Sequence, residues 1–169
     1  MFEDKIKNSI AFTDYHLGKF IERLKKLPQW KDMLVIWLPD HGFFYPRNGM
    51  VHAPRIHHIP MIWMGGAIKK PMEFNKLMNQ TDMDATLLAQ LGISHEEFNF
   101  SRNVTGEEYK YPFAYYTFNN GFAFIDSTGV TMVDNNSEKT LIDSPTANDR
   151  RRKLGEAKLQ TSHDDLSKR

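Results

Sequence analysis

The chain has 169 residues, 40% of them hydrophobic and 25% charged, with a formal net charge of +1 and no cysteine. That length supports a domain with its own core. The near-neutral charge gives no case for nucleic acid or an anionic membrane as partner, and disulfides and thiolate metal sites are excluded. No apolar run approaches the roughly 20 residues of a membrane span, and the first residues carry charges throughout, unlike a signal peptide.

Ile6, Ile10, Leu17, Phe20, Ile21, Leu24 and Leu27 recur at spacings of three, four and seven, which predicts an amphipathic helix over about 4–27. Lys19, Glu22, Arg23, Lys25 and Lys26 form its solvated face, the basic end suits the helix dipole, and Pro28 stops it. The apolar run 33–38 then predicts a strand buried on both faces. Helix, short loop and strand make the second half of a βαβ unit whose first strand does not precede it. The expectation is a chain cut from a longer one.

That strand runs into Pro39-Asp40-His41-Gly42. In an open α/β sheet, ligands bind beyond the carboxyl ends of strands. Asp40 and His41 offer a hard oxygen and a borderline nitrogen, a pairing suited to zinc or manganese. The plainer alternative is that Asp40 caps a turn and His41 is a polar loop residue. Residues 43–58 follow as a long loop with Pro46, Gly49, Pro54 and the histidines His52, His57 and His58. Long ordered loops are often functional, although each histidine alone also suits a surface or capping role.

The run 59–64 predicts a second short strand, entered through Pro60 and closed by Gly65-Gly66. Met83, Leu87, Leu88 and Leu91 predict a helix with Thr81 or Asp82 as N-cap and Gly92 just past its end. Asp82 and Asp84 read as helix-start carboxylates. From Tyr111 the period changes to two. Phe113–Phe118, Gly121–Asp126, Gly129–Asp134 and a short 140–142, separated by turn residues, predict an antiparallel meander. Its aromatics are expected to pack the sheet against a helix, with a ligand-stacking platform as the alternative. From Asp149, the Arg150-Arg151-Arg152-Lys153 run opens a terminal helix with a solvated basic start, fraying over 162–169.

The order of three blocks carries a resemblance. Asp40-His41-Gly42, His58-Ile59-Pro60-Met61-Ile62-Trp63 and Gln80-Thr81-Asp82-Met83-Asp84-Ala85-Thr86-Leu87-Leu88 follow a helix containing Thr13-Asp14-Tyr15. The chain resembles the C-terminal part of the sulfatase branch of the alkaline phosphatase superfamily. It is most similar to bacterial lipoteichoic acid synthase-like phosphoglycerol and phosphoethanolamine transferases, over about 8–134. The resemblance implies an α/β fold: the C-terminal part of an alkaline phosphatase-like α/β/α sandwich, then a small β meander with a terminal helix. The expected division is 1–100, 101–148 and 149–169.

It also implies a divalent metal (manganese, zinc or calcium) held by Asp40 and His41, with His52 and His58 as second-metal or substrate-binding candidates. The acidic ligand and threonine nucleophile of such enzymes have no match, and Thr13, Thr81 and Thr86 stand in blocks with other roles. The implied function is a fragment of a metal-dependent phosphoryl- or sulfuryl-transferring enzyme, inactive alone. Its partners would be a phosphate- or sulfate-ester substrate and the N-terminal part of the same polypeptide, in a membrane-anchored parent with an extracytoplasmic catalytic domain. Arylsulfatases typically pair the aspartate with asparagine, so histidine points toward phosphate chemistry. The alternative function is a non-enzymatic module that binds a glycan or lipid head group on the aromatic meander.

Overall fold

The computed structural model describes residues 4–46 and 48–169. The chain forms two compact units, one of Met1–Asn48 with His58–Glu73 and the other of Gly49–His57 with Phe74–Arg169.

The first unit opens with helix α1, Lys5–Leu24. Asp4 caps it by accepting from the Ile6 and Lys7 amides, at 2.8 and 3.4 Å, which satisfies donors that have no intrahelical partner. The predicted stripe is present, but Ile21 is the one buried residue of the helix and Ile10 and Phe20 face solvent. A 3-10 turn, Pro28–Asp32, leads into strand β1, Val35–Trp37.

Strand β1 pairs antiparallel with β2, Ile62–Met64, with Ile36 opposite Trp63. The expectation of burial on both faces is therefore corrected. All three β1 residues are half-buried, and β2 is their only sheet neighbour among the described residues. Gly65 closes β2 at φ +128°, and a Cβ there would lie 2.1 Å from the Met33 carbonyl oxygen. The bare backbone lets the Gly66 and Ala67 amides reach the carbonyls of Trp30 and Met33, at 3.1 and 3.2 Å.

The second unit contains the short helix α2, Pro54–His57, then α3, Asp82–Gln90, followed by Gly92 at φ +68°. Strands β3, Phe113–Phe118, β4, Gly121–Asp126, β5, Gly129–Asp134, and β6, Lys139–Ser144, form an antiparallel meander in chain order. The first three coincide with the segments the period-two pattern predicts, and the fourth extends beyond 140–142. Helix α4, Asp149–Ser167, packs on β4 and β5. The core of this unit holds Phe122, Phe124, Met132 and Val133.

Two expectations are corrected here, and a third gains a second role. The C-terminal segment stays helical to Ser167, supported by the i,i+4 contact of Gln160 with Asp164 and the packing that anchors the helix start. The basic run is not wholly solvated: Arg151 is fully buried, donating to Thr131 Oγ1 (2.9 Å), Thr128 Oγ1 (2.8 Å), Asp143 Oδ1 (2.7 Å) and the Thr146 carbonyl (2.7 Å). Asp82 stands in the first turn of α3, as the sequence predicts, and has a further role. It too is fully buried, bound by the Arg102 side chain and by the Arg102 and Asn79 backbone amides.

Candidate metal centre

Asp40 and His41 sit three and four residues beyond the end of β1 and are strongly exposed, with side-chain exposures of 88% and 76%. Proline at 39 and glycine at 42 turn the chain so that the adjacent side chains share one side of the loop. The His41 amide donates to Asp40 Oδ1 at 3.0 Å, which fixes the carboxylate against its own turn. His41 Nδ1 lies 2.8 Å from the Gly42 carbonyl oxygen. A carbonyl only accepts, so Nδ1 carries the proton, and in the neutral ring Nε2 keeps its lone pair free.

Nε2 lies 3.7 Å from Asp40 Oδ2. Two donors at that separation lie within the span of a single ion whose bonds are about 2.0–2.2 Å long. A ring nitrogen held by a backbone carbonyl while the other is presented outward is the usual arrangement of a metal-ligating histidine. Oxygen and imidazole nitrogen, without thiolate, suit manganese or zinc and are less suited to calcium, which favours all-oxygen shells. The pair is half a site: among the described residues no group of three His, Cys, Asp or Glu side chains converges to hold an ion.

Tyr45 holds the loop after this pair. Its hydroxyl donates to Asp4, the cap of α1, so one carboxylate serves both the helix start and the loop. This bond, then the Ile6 amide, lowers the Asp4 pKa, and Asp4 in turn raises that of Tyr45. Nothing in the local sequence signals this tie, because the partners are 41 positions apart.

The other histidines have different surroundings. His58 is exposed in the segment before β2, in the same unit as Asp40 and His41. His52 belongs to the second unit, where its ring stacks on Phe118 with centroids 4.5 Å apart and its carbonyl accepts from the Tyr116 hydroxyl at 2.7 Å. His57 stacks on Tyr116 at 3.7 Å, and burial, then the nearby His52, lowers its pKa. The aromatic strand residues are likewise engaged in packing. Phe122 meets α4 at Gly155, Phe113 stacks on Phe124 at 5.0 Å, and Tyr116 is covered by His57. Sheet packing thus uses the rings that a ligand platform would need.

Among the described residues no helix is long and apolar enough to cross a membrane. The family model described as Sulfatase matches residues 4–93. Arylsulfatase K of Mus musculus is 29% identical over 103 residues, covering 54% of this chain and 19% of the relative. Arylsulfatase K of Rattus norvegicus is 30% identical over 102 residues, covering 54% and 18%. The chain thus spans about a fifth of the length of these curated relatives. A crystal structure of a protein in the alkaline phosphatase superfamily from Vibrio parahaemolyticus superposes with a TM-score of 0.67 at 22% identity, covering 90% of this chain and 41% of that one. The fold is therefore an α/β fold of the alkaline phosphatase type, ending in the antiparallel sheet and terminal helix.

Proposed function

Because the chain belongs to the Sulfatase family, we propose that Asp40 and His41 are metal ligands of an enzyme acting on phosphate or sulfate esters. The observation that carries this reading is the His41 ring, with Nδ1 committed to the Gly42 carbonyl and Nε2 presented beside Asp40 Oδ2. Asp40 would bring negative charge to the ion and His41 a neutral nitrogen. A divalent ion held by these two residues would supply charge neutralisation at the ester oxygens and acidification of a hydroxyl nucleophile. Neither that nucleophile nor the remaining ligands is assigned to a residue of this chain, which on this reading is inactive alone.

Within the family, the imidazole beside Asp40 supports phosphate esters, and the block order supports the lipoteichoic acid synthase-like transferases with a membrane-anchored, extracytoplasmic parent. The matches to Arylsulfatase K support sulfate esters instead. His52 and His58 stay as second-metal or substrate-binding candidates, His52 with one ring face stacked on Phe118.

Titration of the chain with manganese, followed by paramagnetic broadening of its amide resonances, tests the site. Broadening centred on Asp40–Gly42 and lost in Asp40→Ala is the expected result. Broadening that is unchanged in that variant, or centred elsewhere, overturns the assignment. Tighter binding of phosphate than sulfate to the manganese-loaded chain supports the phosphate reading, and the reverse order supports sulfate.

A further inference from the structure

We propose that the edge of the first unit formed by the turns at 25–33 and 65–72 docks on an anionic lipid surface. Its lysines would meet the head groups, and Leu27, Ile68 and Met72 would enter among them. The net charge of +1 conceals how unevenly charge is spread along the chain. Over 23–33 and 65–72, Arg23, Lys25, Lys26, Lys31, Lys69 and Lys70 stand against one carboxylate, Asp32, and all of these residues are exposed. Glu22, just outside, is held by Lys19 at 2.9 Å. The proposal involves neither Asp40 nor His41 and does not depend on the metal reading.

Backbone geometry brings the two basic turns together from distant parts of the chain. The Gly66 and Ala67 amides donate to the carbonyls of Trp30 and Met33, at 3.1 and 3.2 Å. The seam is so close that a Cβ on Gly66 would lie 2.5 Å from Lys31 Cα, an approach that glycine permits. Lys69 Nζ donates to the Gly66 carbonyl at 3.3 Å, which keeps its charge beside the seam. Lys31 and Asp32 are 3.9 Å apart with both side chains strongly exposed, so water screens the pair. The helix dipole accounts for Arg23, Lys25 and Lys26 at the end of α1, but not for Lys31, Lys69 and Lys70, which lie outside that helix. Cations gathered in this way repel one another, and a surface of opposite charge relieves the repulsion.

The apolar groups among the lysines identify the partner. Leu27 is 45% exposed, Ile68 39% and Met72 75%, and each lies within two residues of a lysine. A nucleic acid or another soluble polyanion would pair with the cations and leave these side chains in water. A bilayer surface takes both, because apolar groups enter the acyl boundary while lysines meet anionic head groups. Trp30, half-buried in the 3-10 turn between Leu27 and Lys31, is the kind of ring that settles at that boundary. The edge adjoins the end of the β1–β2 ladder where Val35 pairs with Met64, whereas Asp40 and His41 follow the other end, where Trp37 pairs with Ile62. Docking through this edge leaves the Asp40–His41 turn on the side away from the lipid.

The test is sedimentation of the whole chain, in EDTA, with vesicles of equal parts phosphatidylglycerol and phosphatidylcholine, and with vesicles of phosphatidylcholine alone. Binding to the anionic vesicles only, weakening as sodium chloride is added, is the expected result. Lys69→Gln combined with Lys70→Gln should weaken it about fivefold for each lysine, and Leu27→Ser should weaken it as well. The same charge change made in the second unit, Lys110→Gln with Lys139→Gln, should leave it unchanged. All of these positions are exposed, so the variants are expected to fold. No sedimentation with anionic vesicles at low salt, or an equal loss from the two lysine pairs, overturns the proposal. Binding indifferent to Leu27→Ser would mean attraction to any polyanion and overturns the lipid as partner. EDTA keeps divalent ions out of the measurement, so this idea and the metal reading can each fail alone.

Discussion

Gly155 of α4 lies so close to Phe122 of β4 that a Cβ on the glycine would stand 2.1 Å from Phe122 Cε2. Both residues are buried, and their contact sets the distance at which the helix lies on the sheet. Two effects oppose each other in Gly155→Ala. Helix propensity favours alanine by about 1 kcal/mol, while overpacking a filled core costs about 1–3 kcal/mol. The steric term is expected to win, because the obstacle is a ring held between two layers. Urea denaturation should show a lower midpoint, and a raised midpoint would mean that the helix lifts freely from the sheet.

Arg151 ties together the Thr128 turn, β5, β6 and the segment before α4. Arg151→Met leaves Asp143 facing Thr131 without its cation, and removing one partner of such a buried pair costs about 3–5 kcal/mol. The double variant with Asp143→Asn is expected to lose less than the sum of the two single changes. A strictly additive cycle, measured by chemical denaturation, would show that the two groups do not act on each other.

Acid should loosen the same region. For Asp143, burial works to raise the pKa, but bonds from Arg151, Thr131 and the Asn148 amide outweigh it and the pKa is lowered. For Asp126, burial is likewise outweighed by the bonds from Thr128 and Tyr111. A lowered folded-state pKa gives stability that is present above the unfolded value of about 3.9 and lost as pH falls through the folded value. Melting temperature should therefore drop below about pH 4, and the drop should shrink in Asp143→Asn.

Alkali acts through the tyrosines. Burial pushes Tyr111 up to about 12, assisted by its bond to Asp126, and burial alone pushes Tyr115 up to about 12. A raised folded-state pKa gives stability that is complete below the unfolded value near 10 and lost as pH rises through the folded one. Spectrophotometric titration should show a tyrosine fraction ionising only near pH 12, together with loss of the meander's circular dichroism. Simple ionisation of every tyrosine near pH 10 would contradict the buried placement.

Asp40→Ala and His41→Ala should leave the melting temperature unchanged within error, because both side chains are exposed and neither packs in the core. A clear loss of stability in either would point to a structural role for the turn.

Local periodicity made the meander legible to the residue at β3, β4 and β5, because alternation and turn chemistry act between near neighbours. It located α1 and placed Asp40 and His41 at a strand end for the same reason. Arg151 was misread as solvated because charge in a sequence signals exposure, and only partners many positions away make burial tolerable. The strand β1 was read as doubly covered because hydrophobicity reports a tendency to be buried, whereas coverage depends on what packs there. The proton position on His41 had no side-chain signal at all, being set by a backbone carbonyl.

The register shift between β5 and β6 sets Met132 opposite Ile142 and Val133 opposite Thr140, so Leu141 has no direct partner and is exposed. Strand β6 is the outer rung of the sheet. A neighbouring molecule trying to lengthen the sheet there would meet a ladder broken at Leu141 and flanked by Lys139, then Pro145, which has no amide hydrogen to offer. The same irregularity that bends the strand thus shields it from templating chain-to-chain aggregation.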